Sequence, residues 1–261
     1  MNKKIMNKSI FVLLVLLLLV STGSVLAAPR VEDILKEIEQ ITELEADGTA
    51  KVDITQQKAG EGVKVYKSIY YRRDEDDSFL IVFTEPEVEK GNGYLRVGDN
   101  FWMYRRNTRT FQHITRDESI AGTDASGGDF ENKKLTEMYK PAVDENGNEI
   151  IKETTLGNIP VYEFELEAKI EDVSYPEVVY WVRQDNYLPL KIQSYSLNGT
   201  LMMTSYFLKY TIIQDKYLCV KSMYVDEFEE GNKTLVEIKE ISIQEIDDHV
   251  FTKAYLESLS K

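Results

Sequence analysis

A chain of 261 residues with 45 acidic and 31 basic side chains carries a net charge of −14, and it has one cysteine and two histidines. That charge excludes nucleic-acid or anionic-lipid binding through general electrostatics. The lone Cys219 excludes an intrachain disulfide, and His113 and His249, far apart in sequence, exclude a His-rich metal cluster.

The first residues read as a leader rather than as part of the fold. Lys3, Lys4 and Lys8 form a basic start, Ile10–Val20 is unbroken apolar sequence, and Val25-Leu26-Ala27 fits a cleavage site before Ala28. The apolar run is too short to span a bilayer, which takes about 20 residues. Cleavage near Ala27 would remove three lysines and take the charge from −14 to −17. Residues 28–261 are then expected as one exported domain, without a lipid-attachment cysteine at its start. The acidity fits either a basic partner or a saline habitat.

From Pro29 to about Ile41, Val31, Ile34, Leu35, Ile38 and Ile41 recur at helical spacing with acids and Lys36 opposite. This predicts an amphipathic helix with one stripe to bury against a sheet. Between Leu44 and Thr115 the period becomes two. Strands are expected at Thr49–Thr55, Val63–Arg73, Ser78–Thr84, Tyr94–Val97, Phe101–Arg106 and Arg109–Thr115, with turns at Gly60-Glu61-Gly62, Asp74–Asp77 and Gly98-Asp99-Asn100. A glycine-rich, acidic loop (Gly122, Asp124, Gly127, Gly128, Asp129) leads to a short helix over Asn132–Tyr139. Pro141–Asn148 reads as a loop. Asp144–Glu149 has a superficial calcium-loop look, but its glycine and its closing Glu come too early, so a plain hairpin turn is expected. A second meander follows at Val161–Lys169, Glu177–Arg183, Leu188–Ser196, Leu201–Tyr210, Lys216–Asp226 and Thr234–Ile243, then a last helix at Val250–Leu259.

Several strands are apolar on both faces: Phe79, Ile81 and Phe83 oppose Leu80 and Val82, and Phe101 and Met103 oppose Trp102 and Tyr104. A sheet with two dry faces is covered by helices or curves around something. Two readings stay open here, an apolar hollow lined by aromatics and Met, which suit flexible acyl chains, and a filled β core. Strand patterning nominates Phe83, Trp181, Met203 and Phe207 as cavity residues.

Catalytic signatures are absent: no G-x-S-x-G, H-E-x-x-H, phosphate loop or dinucleotide fingerprint occurs. Asp226–Glu230 reads as a solvated hairpin tip. Arg105, Arg106 and Arg109 can pair with a carboxylate or phosphate of a headgroup or partner, or balance surface charge. Cys219 reads as a small buried hydrophobe.

The stretch Gly93-Tyr94-Leu95-Arg96-Val97-Gly98-Asp99-Asn100-Phe101-Trp102-Met103-Tyr104, an Arg-bearing strand, and a loop ending Gly128-Asp129-Phe130 resembles the outer-membrane lipoprotein-sorting family, the LolA-like carriers. Arg105 stands where the family has Pro, Gly127 where it has Ser, and Glu131-Asn132-Lys133 where it has Tyr-Glu-Asp. The resemblance implies an α+β, mainly β fold: a half-open antiparallel barrel of about ten to eleven strands with helices covering its mouth. It implies non-covalent binding of lipid or lipoprotein acyl chains in the periplasm, with Trp102 and Tyr104 carried over as motif positions; Tyr94 is nominated beside them as a ligand-binding cavity residue. An inner-membrane donor complex and an outer-membrane acceptor would be the partners; no cofactor or metal, no catalysis and a monomer are expected. The alternative kept beside the carrier is a periplasmic sensor of the same fold that binds envelope lipid and a membrane protein.

Overall fold

The computed structural model describes residues 28–116, 118–124, 134–171 and 173–260. The expected leader (1–27) and the expected motif residues from Gly127 to Lys133 lie outside them.

Helix α1 spans Val31–Thr42, in agreement with the 3.6-residue period. A helix of 12 residues is marginal alone in water, so its stability comes from the face it buries. Val31, Ile34, Leu35 and Ile38 are all buried, worth together on the order of 8 kcal/mol before ordering entropy. No side chain of its own caps its first turn. Instead the Glu149 carboxylate accepts the Val31 N–H at 2.7 Å, placing a negative charge where the helix dipole is positive.

Fourteen strands form one antiparallel sheet: β1 (Gly48–Lys58), β2 (Gly62–Arg73), β3 (Ser78–Glu85), β4 (Gly93–Val97), β5 (Asn100–Arg105), β6 (Thr110–His113), β7 (Tyr139–Pro141), β8 (Ile151–Leu156), β9 (Ile159–Ala168), β10 (Glu177–Arg183), β11 (Pro189–Tyr195), β12 (Leu201–Ile213), β13 (Lys216–Asp226) and β14 (Lys233–Ile243). The spatial order is β6-β5-β4-β3-β2-β1-β14-β13-β12-β11-β10-β9-β7, with β8 also on β9. The two meanders therefore join through β1 and β14, and among the described residues the ends of the sheet do not pair with each other. The strand count exceeds both the ten to eleven that the resemblance implies and the twelve that alternation places. The strands missed are β7, which takes Tyr139 out of the expected helix and leaves α2 only Leu135–Met138, and β8. The latter is an exposed edge paired only with β9, so it carries no apolar alternation. Val143 and Glu149 bridge and Asp144 accepts the N–H groups of Asn146 and Asn148, the plain turn expected.

Register assigns the faces, since directly opposed residues share one. Val52 lies opposite Ser68 and Ile238, Tyr70 opposite Ile81, and Ile81 opposite Tyr94. On this inner face two packed regions form. Tyr66, Phe79, Phe83, Tyr94 and Phe101 make one, closed by Ile120 from the segment after β6. The other lies beneath α1, where Phe164 and Tyr180 stack at 5.7 Å. The second dry face of β3–β5 is the outer one. Leu80, Val82, Leu95 and Tyr104 pack there against Ile246, Val250, Phe251 and Leu256, the last from α3 (Lys253–Leu259). The two-faced apolar pattern thus reflects this C-terminal cover.

Candidate functional site

Between the two inner-face regions a cavity of ≈ 350 Å³ is left open. Ala50 and Val52 of β1, Tyr70 of β2, Tyr224 of β13, Phe207 of β12 and Val236 and Ile238 of β14 supply its walls. Each inner-face position follows from strand alternation, and the segment 42–46 leaving α1 closes one side. Thr42 Oγ1 donates to the Ile38 carbonyl at 2.7 Å and Lys216 Nζ donates to the Gln40 carbonyl, so the helix end is held over the sheet.

The polar groups in the wall are engaged with one another. Arg72 donates to the Tyr70 hydroxyl at 3.3 Å and pairs with Asp74. Burial works against the Arg72 charge, but Tyr70 and Asp74 outweigh it and keep the guanidinium protonated. The Tyr70 phenol is raised by burial, partly offset by Arg72. Cys219 also lines the cavity, and burial pushes its thiol up to about 11, so at neutral pH it is a thiol and a poor nucleophile.

A second, more open cleft shares Glu43, Ala46, Asp74 and Ile243 with the cavity and adds Glu45, Asp47, Glu75, Gln244 and Glu245. The cavity therefore opens beside a rim of carboxylates. Among the described residues no group of His, Cys, Asp and Glu is arranged to hold a metal ion, and no helix is long and apolar enough to cross a membrane.

The nominated residues distribute as follows. Phe207 lines the cavity. Phe83 and Tyr94 are on the inner face but inside the packed region, their rings 6.1 Å apart; the Tyr94 hydroxyl accepts the Ala121 N–H at 2.9 Å. Met203 is opposite Ser194 and Asp226, farther along the inner face. Trp102, Tyr104 and Trp181 are on the outer face. Lys253 Nζ sits 4.1 Å from the Trp102 ring centre, Tyr104 packs on Phe111 at 4.6 Å, and Trp181 donates to Glu163 at 2.9 Å beneath Lys191. Arg105, Arg106 and Arg109 are exposed at the β5–β6 turn: Arg105 is 3.7 Å from Glu89 and Arg106 reaches the Lys90 carbonyl at 3.4 Å. They do not line the cavity. Sequence reasoning missed Val52, Tyr70, Tyr224, Val236 and Ile238 as wall residues. The available signal was their common alternation on strands that register places side by side.

No curated protein matches the chain. Solved structures do. A LolA superfamily protein from Nitrosomonas europaea aligns with a TM-score of 0.71 at 20% identity over 87% of this chain and 100% of that one. A putative outer membrane lipoprotein-sorting protein domain from Vibrio parahaemolyticus gives 0.74 at 18% over 87% and 97%, and a DUF1329 family protein from Desulfovibrio piger gives 0.75 at 20% over 86% and 97%. A protein-family model described as "-like: Uncharacterized protein" matches residues 75–258, from the turn before β3 to within α3. The chain belongs to that family, and its fold, a 14-stranded open antiparallel sheet with few helices, is the fold of the LolA superfamily.

Proposed function

We propose that this protein is an exported periplasmic carrier which binds apolar chains of lipid or lipoprotein in the inner-face cavity and moves them toward the outer membrane, without catalysing a reaction. The observation that carries this reading is the apolar gap itself: ≈ 350 Å³ left open between two well-filled regions of one sheet. That volume is near the small end of the roughly 300–1,000 Å³ usual for ligand sites and suits one chain segment. Each methylene moved there from water contributes about 0.8 kcal/mol. The LolA-superfamily fold adds support, as one similar structure is described as a lipoprotein-sorting domain. In this reading residues 28–261 act as one half-barrel unit, released from the leader near Ala27, with α1 at its mouth. An inner-membrane donor complex and an outer-membrane acceptor are its partners, and the carrier is monomeric.

Native mass spectrometry of the protein purified from its own envelope fraction, followed by organic extraction, tests this. Bound lipid or an acylated peptide is expected. A clean apo mass that takes up no added lipid or single-chain amphiphile would overturn the carrier reading.

A further inference from the structure

The rim gives the cavity a charge preference. Among the described residues six carboxylates, Glu43, Glu45, Asp47, Asp74, Glu75 and Glu245, line the cavity and the adjoining cleft, against one guanidinium, Arg72. Arg72 is already committed to Asp74 and Tyr70. Lys134 approaches Glu43 at 3.9 Å. Asp47 accepts the Ile246 N–H at 3.1 Å, a structural contact. Among the described residues none of Glu45, Asp47, Glu75 and Glu245 forms an ion pair with Lys or Arg, and Glu45, Glu75 and Glu245 are exposed. The nearby Arg73 points to other acids, Asp76 and Asp248. These carboxylates come from three separate segments: the one leaving α1, the β2–β3 turn and the end of β14.

We infer that the cavity selects its ligand by head charge, accepting a single apolar chain that carries a cationic head and rejecting the same chain with an anionic head. The inference rests on the carrier reading. An apolar tail in the Val52–Val236–Phe207 wall leaves its head at the shared edge formed by Glu43, Asp74 and Ile243. Asp74 and Glu43 at this edge already have Arg72 and Lys134 beside them. A cationic head reaching from it into the adjoining cleft meets Glu45, Glu75 and Glu245, which form no ion pair among the described residues, whereas a sulfate or phosphate there meets their repulsion. An amine-headed lipid and an acylated basic peptide both present the required chemistry.

The test uses the full mature chain and probes of one tail length below their micelle concentration: dodecyltrimethylammonium, dodecyl maltoside, dodecyl sulfate and a dodecanoyl-Lys-Lys amide, measured by calorimetry. The cationic probe is expected to bind about tenfold more tightly than the neutral one, and the anionic probe about tenfold less tightly. Added salt should compress both differences, because exposed charges are screened. In the triple variant Glu45→Gln, Glu75→Gln, Glu245→Gln the cationic advantage should fall most of the way while dodecyl maltoside binds as before. The salt titration of the unaltered chain supplies the same information should the variant fold poorly. Tighter binding of the peptide than of the simple ammonium identifies a polypeptide source and equal binding a lipid amine; both support the rule. Equal affinity for all heads would overturn it and leave the carrier reading intact, whereas no binding of any probe would remove the carrier reading itself.

Discussion

Substituting Ala50 by Leu places the cavity on trial directly. Ala50 is buried on β1, opposite Tyr70 of β2, and its methyl faces the open volume. Leucine adds three carbons to that space and displaces about three methylenes of a bound chain. At about 0.8 kcal/mol each this removes about 2.4 kcal/mol, a loss of about 60-fold in affinity for a dodecyl ligand. Stability should hold, because the added carbons enter an unfilled apolar space and bury no polar atom. Calorimetric binding of dodecyl maltoside measures the affinity, and Cys219 gives an internal check. It is the chain's only cysteine and lines the same cavity, so a bound chain should slow its alkylation at high pH in the unaltered protein and fail to do so in Ala50→Leu. Trp102→Ala, on the outer face under Lys253, serves as the control that leaves dodecyl binding unchanged. Unchanged affinity in a folded Ala50→Leu protein, or loss of binding in Trp102→Ala alone, would refute the assignment of the chain to this cavity.

Two further substitutions address the frame around the site. Asp124 accepts the Thr234 hydroxyl at 2.7 Å, and burial raises its carboxyl above 3.8, with Thr234 opposing, Asp226 adding to the rise and Lys58 opposing it. A raised acid favours the fold in its neutral form. Its contribution is fully present below the unfolded value and is lost as pH rises through the folded one. Asp124→Asn keeps an acceptor for Thr234 without the charge, so it should melt higher than the unaltered chain at neutral pH, the gap closing on acidification; a pH-independent gap would contradict the argument. Gly93 of β4 lies where a Cβ would come 2.4 Å from the Ile81 carbonyl oxygen and 2.8 Å from Leu256 Cδ1. Gly93→Ala should therefore cost about 2–3 kcal/mol in denaturant unfolding. A loss near zero would mean that β3, β4 and α3 separate more easily than their packing implies.

The parts of the fold that showed in the sequence are those whose physics is local. The stripe Val31, Ile34, Leu35, Ile38 needs only a 3.6-residue period to announce α1. The split of Phe79, Ile81 and Phe83 from Leu80 and Val82 needs only a period of two. Alternation says that both faces of β3 are dry; it does not say what dries each one. Trp102 and Tyr104 enter the expected hollow as motif positions of the family resemblance, yet the face they occupy is covered by Phe251 and Leu256 from about 150 residues farther along the chain. β8 escaped notice for the complementary reason. Of Ile151-Lys152-Glu153-Thr154-Thr155-Leu156, Ile151 packs against the region beneath α1, and one such apolar position sets no alternation.

The cavity is harder to see than its walls, and the reason bears on specificity. A wall residue has a type, but an unfilled volume is a difference between what the sheet spans and what α1 and the 118–124 segment fill. Gln56 fixes one of those boundaries, donating to the Gly122 carbonyl at 2.6 Å, and Lys216 fixes the other at Gln40; neither residue is itself apolar or part of a motif. The rim is still less visible, because Glu45, Glu75 and Glu245 are ordinary solvated acids until the α1–β1, β2–β3 and post-β14 segments meet. In sequence the net charge of −14 reads as a general repulsion of anionic surfaces. In the fold part of it gathers along the cleft that adjoins the cavity. Under the proposed carrier role, apolar burial sets how long a chain the site rewards and the rim sets which head it tolerates, so substitutions in the wall should move affinities for all heads together and substitutions in the rim should move them apart.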